Sequence, residues 1–268
     1  MDEIAISRII SIPFGEGKRE GTLSLKAGYY SPFSRFPLFS AEELNRVTDS
    51  FFQNDFLQEP TFDTLPRELV QFIMPSLPAE YFEAEIRWGH DGEGSFRSLA
   101  REECFPVVLA LGSNLGKREE AVKKAVQEMN RRRVVYGDVF SSLYESDPVG
   151  YADQPGYVNM VMKGRTKLSP EALLTALKEI EKDLGRDWAK RNRPRPIDID
   201  IIYYAVEKRD SAVLTLPHKS RMERAFVLNP LIEIMGEFRD PVTGEAAKLK
   251  NGGKLTHLKT WEDLWNGV

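Results

Sequence analysis

Two aspartates one residue apart, Asp198 and Asp200, stand in the run Arg195-Pro-Ile-Asp-Ile-Asp-Ile-Ile. On a strand, residues i and i+2 point to the same face, so the carboxylates sit side by side while Ile197, Ile199 and Ile201 face the core. Neighbouring carboxylates repel unless cations lie between them. Oxygen ligands suit Mg²⁺, which takes one or two carboxylates and fills its shell with waters and substrate phosphates. The loop just upstream carries five bases, Arg186, Lys190, Arg191, Arg193 and Arg195, against one acid, Asp187. Polyphosphate chemistry needs this combination: metal-held phosphates, and guanidinium groups to neutralise charge on bridging and leaving oxygens. Pro194 and Pro196 stiffen the chain around Arg195. Taken singly, the pair reads as the solvent face of an amphipathic strand and the loop as a solvated charge run. Their adjacency favours the chemical reading.

The run Gly112-Ser-Asn-Leu-Gly116-Lys117-Arg118 joins a strand to a helix, as a P-loop does. It is one residue short, and Arg118 replaces the Ser/Thr that would reach Mg²⁺. A tight turn is expected instead, with Ser113 or Asn114 capping the helix. Pro217-His218 with Arg221, Arg224 and Phe226 offers phosphate donors and an aromatic face. Ser146-Asp-Pro-Val149, then Tyr157 and Asn159, offers backbone groups, a ring and an amide that can read the edge of a flat heterocycle.

These side chains need elements to hold them. Alternation predicts strands over residues 4–12, around Leu23, Leu25 and Ala27, over residues 82–88, and on the return at 96–100. Between them, Leu44, Val47 and Phe51 behind the N-cap Ser40 mark one helix, and Phe62, Leu65, Leu69, Phe72 and Ile73 another. Residues 1–104 thus read as two strands, two helices, two strands, with a turn at residues 90–94. Further strands are expected at 107–111, 134–144, 157–165 and 197–204. Helices are expected up to about Arg132 and from Ser169 to Gly185, the second buried through Leu173, Leu174, Leu177, Ile180 and Leu184. The architecture expected is one sheet covered by helices, an α+β sandwich.

The chain has 268 residues, 41% hydrophobic and 29% charged, an ordinary globular composition. Residues 1–104 carry 10 basic against 18 acidic side chains and the remainder 27 against 23, a change of sign that suggests two domains, 1–104 and 105–268. No apolar run is long enough for a membrane helix. The acidic start Met1-Asp-Glu-Ile argues against a secretory signal, and the single cysteine, Cys104, excludes an internal disulfide. A cytoplasmic location is expected, without membrane or nucleic-acid partners.

Over residues 107–234 the sequence resembles 6-hydroxymethyl-7,8-dihydropterin pyrophosphokinases. The resemblance rests on Leu109-Ala-Leu-Gly-Ser-Asn-Leu-Gly116, Tyr144-Glu-Ser-Asp-Pro148, Asp153-Gln-Pro-Gly-Tyr-Val-Asn159, Glu181 with Gly185-Arg186, Arg195-Pro-Ile-Asp-Ile-Asp-Ile201, Leu216-Pro-His218 and Glu223-Arg-Ala-Phe-Val-Leu-Asn-Pro-Leu231. It implies a ferredoxin-like sandwich that transfers pyrophosphate from ATP to the pterin hydroxymethyl group and releases AMP. It further implies two Mg²⁺ on Asp198 and Asp200, with Arg186 and Arg195 steadying the transferred group. Lys178, Glu181, Thr215, His218 and Arg224 would contact ATP. Ser146, Val149, Tyr157, Asn159 and Phe226 would hold the pterin. Arg193 stands where the family usually has Gly, and Pro196 where it has Thr. Residues 1–104, through Pro60-Thr-Phe-Asp63 and Phe82-Glu-Ala-Glu-Ile-Arg-Trp88, are similar to dihydroneopterin aldolase, a tunnelling-fold enzyme. Asp63 replaces that family's pterin-binding Glu, and its catalytic Lys has no match, Gly89 and His90 standing nearby. The resemblance implies a diverged domain that scaffolds or forms a homo-oligomer. A bifunctional aldolase–kinase and a non-catalytic pterin- or nucleotide-binding protein are the alternatives.

Overall fold

The computed structural model describes residues 2–14, 17–29, 40–53, 64–74, 77, 79, 81–90, 94–148, 154–187, 193–240, 242–250 and 255–267. The chain forms two compact units, Met1–Cys104 and Phe105–Val268. Val149, Lys190, Arg191, Asn192, Asp63 and Phe62 lie outside the described residues, as do the side chains of Trp88 and His90.

In the first unit, β1 (Asp2–Phe14), β2 (Gly17–Tyr29), α1 (Ala41–Phe52), α2 (Leu65–Ile73), β3 (Tyr81–His90) and β4 (Gly94–Glu103) follow one another. The strands make an antiparallel sheet in sequence order. Ser40 caps α1 through a reciprocal pair of bonds with Glu43, which satisfies two of the backbone donors that a helix start leaves open. Leu44 and Phe51 of α1 and Leu65, Leu69, Val70 and Ile73 of α2 are buried, together with Leu23, Leu25, Ala27, Phe82, Ala84 and Ile86 of the strands. Glu83, Glu85, Arg97 and Arg101 alternate with that buried set and pair with one another on the opposite face.

The second unit runs β5 (Phe105–Ser113), α3 (Arg118–Arg131), β6 (Tyr136–Phe140), β7 (Leu143–Ser146), β8 (Tyr157–Thr166), α4 (Pro170–Asp183), β9 (Asp198–Tyr204), β10 (Arg209–Asp210), β11 (Thr215–Leu216), α5 (Ala225–Met235), β12 (Leu255–Lys259) and α6 (Trp261–Asn266). Its sheet has the order β12-β7-β8-β5-β9, with β6 also on β8, and every pairing is antiparallel. Val122, Ala125, Val126 and Met129 of α3 and Leu173, Leu177 and Ile180 of α4 bury one face against Leu109, Leu111, Met160, Ile199 and Ile201.

Two expectations are corrected here. Residues 134–144 do not form one strand. The chain breaks at Ser141 and Ser142, where the Ser141 hydroxyl accepts the Val161 N–H at 3.0 Å in place of a ladder carbonyl, and pairing then runs on to Ser146. Neither Ser113 nor Asn114 caps α3. Its N-cap is Lys117, which makes no side-chain cap bond, and Gly116 takes the positive φ (68°) of the turn. The two-strand, two-helix, two-strand order of residues 1–104 is as the sequence patterns predict, and Ser169 caps α4 through Ala172 N–H, with Pro170 in its first turn.

Candidate active site

The central strand β5 places Gly112 opposite Asn159 of β8 on one side and opposite Asp198 of β9 on the other. Ala110 lies opposite Asp200. Because directly opposed residues share a face, Ala110, Gly112, Asn159, Asp198 and Asp200 all point away from the α3/α4 core. They floor a cavity of about 190 Å³, which Ser146, Tyr157, Arg195, Arg224 and Phe226 complete. Glycine at 112 keeps the floor low. A Cβ there would come within 3.3 Å of Asn159 Oδ1 and 3.7 Å of the Tyr157 ring.

On the carboxylate side, Arg186 Nη1 donates both to Asp198 Oδ1 and, at 2.6 Å, to Glu181 Oε1. Arg195 Nη1 lies 3.3 Å from Asp198 Oδ2, its Nη2 donates to the Tyr157 hydroxyl at 3.4 Å, and its guanidinium stands 5.7 Å from that ring's centre. Arg195 therefore bridges the acidic and aromatic halves of the cleft. Burial raises the Asp200 carboxyl above the ordinary range, and the charge of Asp198 raises it further. Two carboxylates held so close suit a cation between them and phosphate. Among the described residues no group of three or more His, Cys, Asp and Glu could hold a metal. A pair of carboxylates is the donor set that Mg²⁺ sites complete with water and phosphate.

On the other side, Asn159 Nδ2 donates to Ser146 Oγ at 2.9 Å, and both residues are buried. Arg224 lies 5.8 Å from the Phe226 ring centre, at the start of α5.

Three predicted contacts fall elsewhere. Glu181 is 1% exposed and sits beneath the cleft, where it accepts the Ile199 N–H at 2.6 Å and holds Arg186. It supports the strand, and burial pushes its carboxyl up to about 8. Thr215 donates to Asp210 across the small β10–β11 ribbon, away from the cavity lining. Lys178 is exposed on α4 and likewise absent from the lining. His218 is half-buried, and burial lowers its pKa, as do the charges of Arg224, Lys219 and Arg221. Arg221 is no phosphate donor: its guanidinium is engaged by Asp240.

Asn114, expected as a helix cap, is instead a latch. It is 1% exposed; its Oδ1 accepts the Arg195 N–H at 2.8 Å, its own N–H donates to Arg195 O at 3.2 Å, and its Nδ2 reaches Gln154 Oε1 at 3.1 Å. One side chain thereby fixes where the basic loop ends.

Residues 108–236 match the 7,8-dihydro-6-hydroxymethylpterin-pyrophosphokinase (HPPK) family. The chain is 40% identical over 137 residues to the 2-amino-4-hydroxy-6-hydroxymethyldihydropteridine pyrophosphokinase of Bacillus subtilis, covering 51% of this chain and 82% of that one. It belongs to that family. It is also 44% identical over 160 residues to the mitochondrial folate synthesis bifunctional protein of Pisum sativum, covering 59% of this chain but only 30% of the pea protein. The mitochondrial folate synthesis bifunctional protein of Arabidopsis thaliana is 42% identical over 134 residues, or 50% of this chain and 24% of its own length. The chain therefore spans less than a third of these two plant relatives. The wild-type HPPK-DHPS structure from Plasmodium falciparum aligns with a TM-score of 0.42 at 14% identity, over 54% of this chain and 44% of that one, too distant to carry weight.

Proposed function

We propose that residues 105–268 transfer the pyrophosphoryl group of ATP to the hydroxymethyl oxygen of 6-hydroxymethyl-7,8-dihydropterin and release AMP. The observation that supports this most is the register of β5, which seats a carboxylate pair and a buried amide on either side of one bare glycine. The pterin oxygen attacks the β-phosphorus, the bond from that phosphorus to the α-phosphate oxygen breaks, and the hydroxyl proton leaves to water. Asp198 and Asp200 would hold two Mg²⁺ ions, which supply charge neutralisation at the phosphate oxygens. Arg195, anchored through Asn114, steadies charge on the leaving oxygen, and Arg224 faces the phosphates from α5. Asn159 and Ser146 read the pterin edge, with Tyr157 and Phe226 against its faces. Most of the rate enhancement then comes from positioning two reactants in line.

The second unit is on this reading a ferredoxin-like sandwich, and the first a diverged, tunnelling-fold unit of the dihydroneopterin aldolase type that scaffolds or assembles into a homo-oligomer. A reducing compartment such as the cytoplasm suits its one buried cysteine. The test is AMP formation from ATP, with and without the pterin and Mg²⁺. AMP that appears only with both supports the kinase; a folded chain that forms none sinks it.

A further inference from the structure

Arg221 and Asp240 take no part in the steps above, and Asp240 lies beyond the stretch that matches the family. Their side chains are nonetheless 9% and 0% exposed. Two parallel bonds join them, Arg221 Nε to Asp240 Oδ2 at 2.5 Å and Nη2 to Oδ1 at 2.8 Å. The same carboxylate accepts the Tyr203 hydroxyl at 2.7 Å and the N–H groups of Val242 and Thr243 at 3.0 and 2.8 Å. Arg221 Nη1 in turn donates to His218 O at 3.2 Å, and the His218 N–H donates to Ile202 O at 2.9 Å. The segment that carries His218 and Arg224 is thus tied at two points to β9, the strand of Asp198 and Asp200.

A bulge in β9 makes this possible. Leu109 faces Ile201 but Val108 faces Tyr203, so Ile202 has no opposite number. Strict alternation from Asp198 would turn Tyr203 into the α3/α4 core. The extra residue turns it instead to the carboxylate face, and Tyr204 takes the core position. An Arg–carboxylate pair held by two bonds fixes direction as well as distance.

We propose that Arg221 and Asp240 form a positioning clamp that sets His218 and Arg224 against the phosphates of ATP, with Tyr203 as its anchor on β9. This rests on the kinase reading. Helix α5 has its own tie, Glu233 accepting from the Ser142 and Tyr144 hydroxyls at 2.7 and 3.0 Å, which holds Phe226 within the helix, whereas Arg224 is its N-cap, where the helix joins the clamped segment.

The experiment compares the full chain with its Asp240→Asn and Tyr203→Phe variants. KM for ATP and kcat are measured in the AMP assay, pterin affinity by fluorescence, and Tm by calorimetry. Asp240→Asn should raise the KM for ATP about tenfold, and Tyr203→Phe, which removes one bond to the carboxylate and leaves its pair with Arg221 intact, about threefold. Pterin affinity should stay at the wild-type value in both. If Asp240→Asn does not fold, Tyr203→Phe carries the test. An unchanged KM for ATP in a folded variant overturns the clamp, and so does loss of ATP and pterin binding together in step with Tm. A wild-type chain that forms no AMP overturns the kinase reading itself.

Discussion

Both sheets of this protein carry arginines facing carboxylates, but in opposite surroundings. On the first sheet one partner of each pair reaches water: Arg97 is 59% exposed beside a Glu85 that is 13% exposed, and Arg101 40% beside a Glu83 at 20%. In the second unit, Arg186 is 12% exposed beside a Glu181 that is 2% exposed, and Arg165 and Asp138 are 4% and 6%. Exposed pairs gain little because water screens them and their side chains lose freedom in meeting. Buried pairs are costly to desolvate and costly to break, so they persist where geometry must be held. The same residue types therefore keep one sheet face polar and, in the other unit, aim a constellation. Charge content alone does not mark a site.

Four measurements would break or sharpen this contrast. The largest effect is expected for Asp198→Asn, which should lower AMP release about a hundredfold or more while the chain stays folded, since on the proposed reading the lost carboxylate seats a metal and is not a packing group. Wild-type rates would remove the carboxylate pair from the chemistry. Next, Asn114→Ala should cost about 1–3 kcal/mol of stability, read by denaturant titration, and lower kcat/KM about tenfold, because the Arg195 N–H loses its acceptor and Gln154 its donor. The third concerns pH. Glu181 has a folded pKa of about 8 against an ordinary 4.5, so the folded state holds its proton more tightly than the unfolded chain does. Its contribution to stability is full below pH 4.5 and is lost as pH rises towards 8. With metal chelated, Tm should fall across that window, and Glu181→Gln should flatten its share of the fall. An identical slope in the variant would show that Glu181 does not titrate there. The smallest effect is expected on the first sheet, where Arg97→Ala should change stability by at most about 0.5 kcal/mol and leave AMP formation untouched. A large loss of activity there would collapse the contrast between the units.

The elements that sequence marks well are those with a period and a cap. The apolar spacing of α1 behind Ser40, the alternation of β3, and α4 between Ser169 and Gly185 are all legible because the signal is local. Asp198 and Asp200 sharing a face follows from a period of two. What the pattern misses depends on partners distant in the chain. Asn114 has the composition of a cap, yet its bonds go to Arg195, whose position only the sheet decides. Arg221 looks like a phosphate donor until Asp240, nineteen residues on, is brought beside it. The break at Ser141 and Ser142 is hidden because both are compatible with a strand until the Val161 N–H finds a hydroxyl. Strand β12 has no periodic signal either: its five residues are all partly or largely exposed, and it forms by pairing with β7, with Leu255 opposite Ser146.

The unopposed Ile202 also sets how this strand can vary in length. Substituting its side chain would leave the count of residues between Asp200 and Tyr203 intact. Deleting it would close the bulge and leave Tyr203 opposite Val108 and Tyr204 opposite Val107, at the cost of the carbonyl that now accepts the His218 N–H. The tyrosine pair would keep its present sides of the sheet. Between Asp200 and Tyr203, then, β9 can lose one residue without turning either tyrosine over, a place to look for gaps when related chains are aligned.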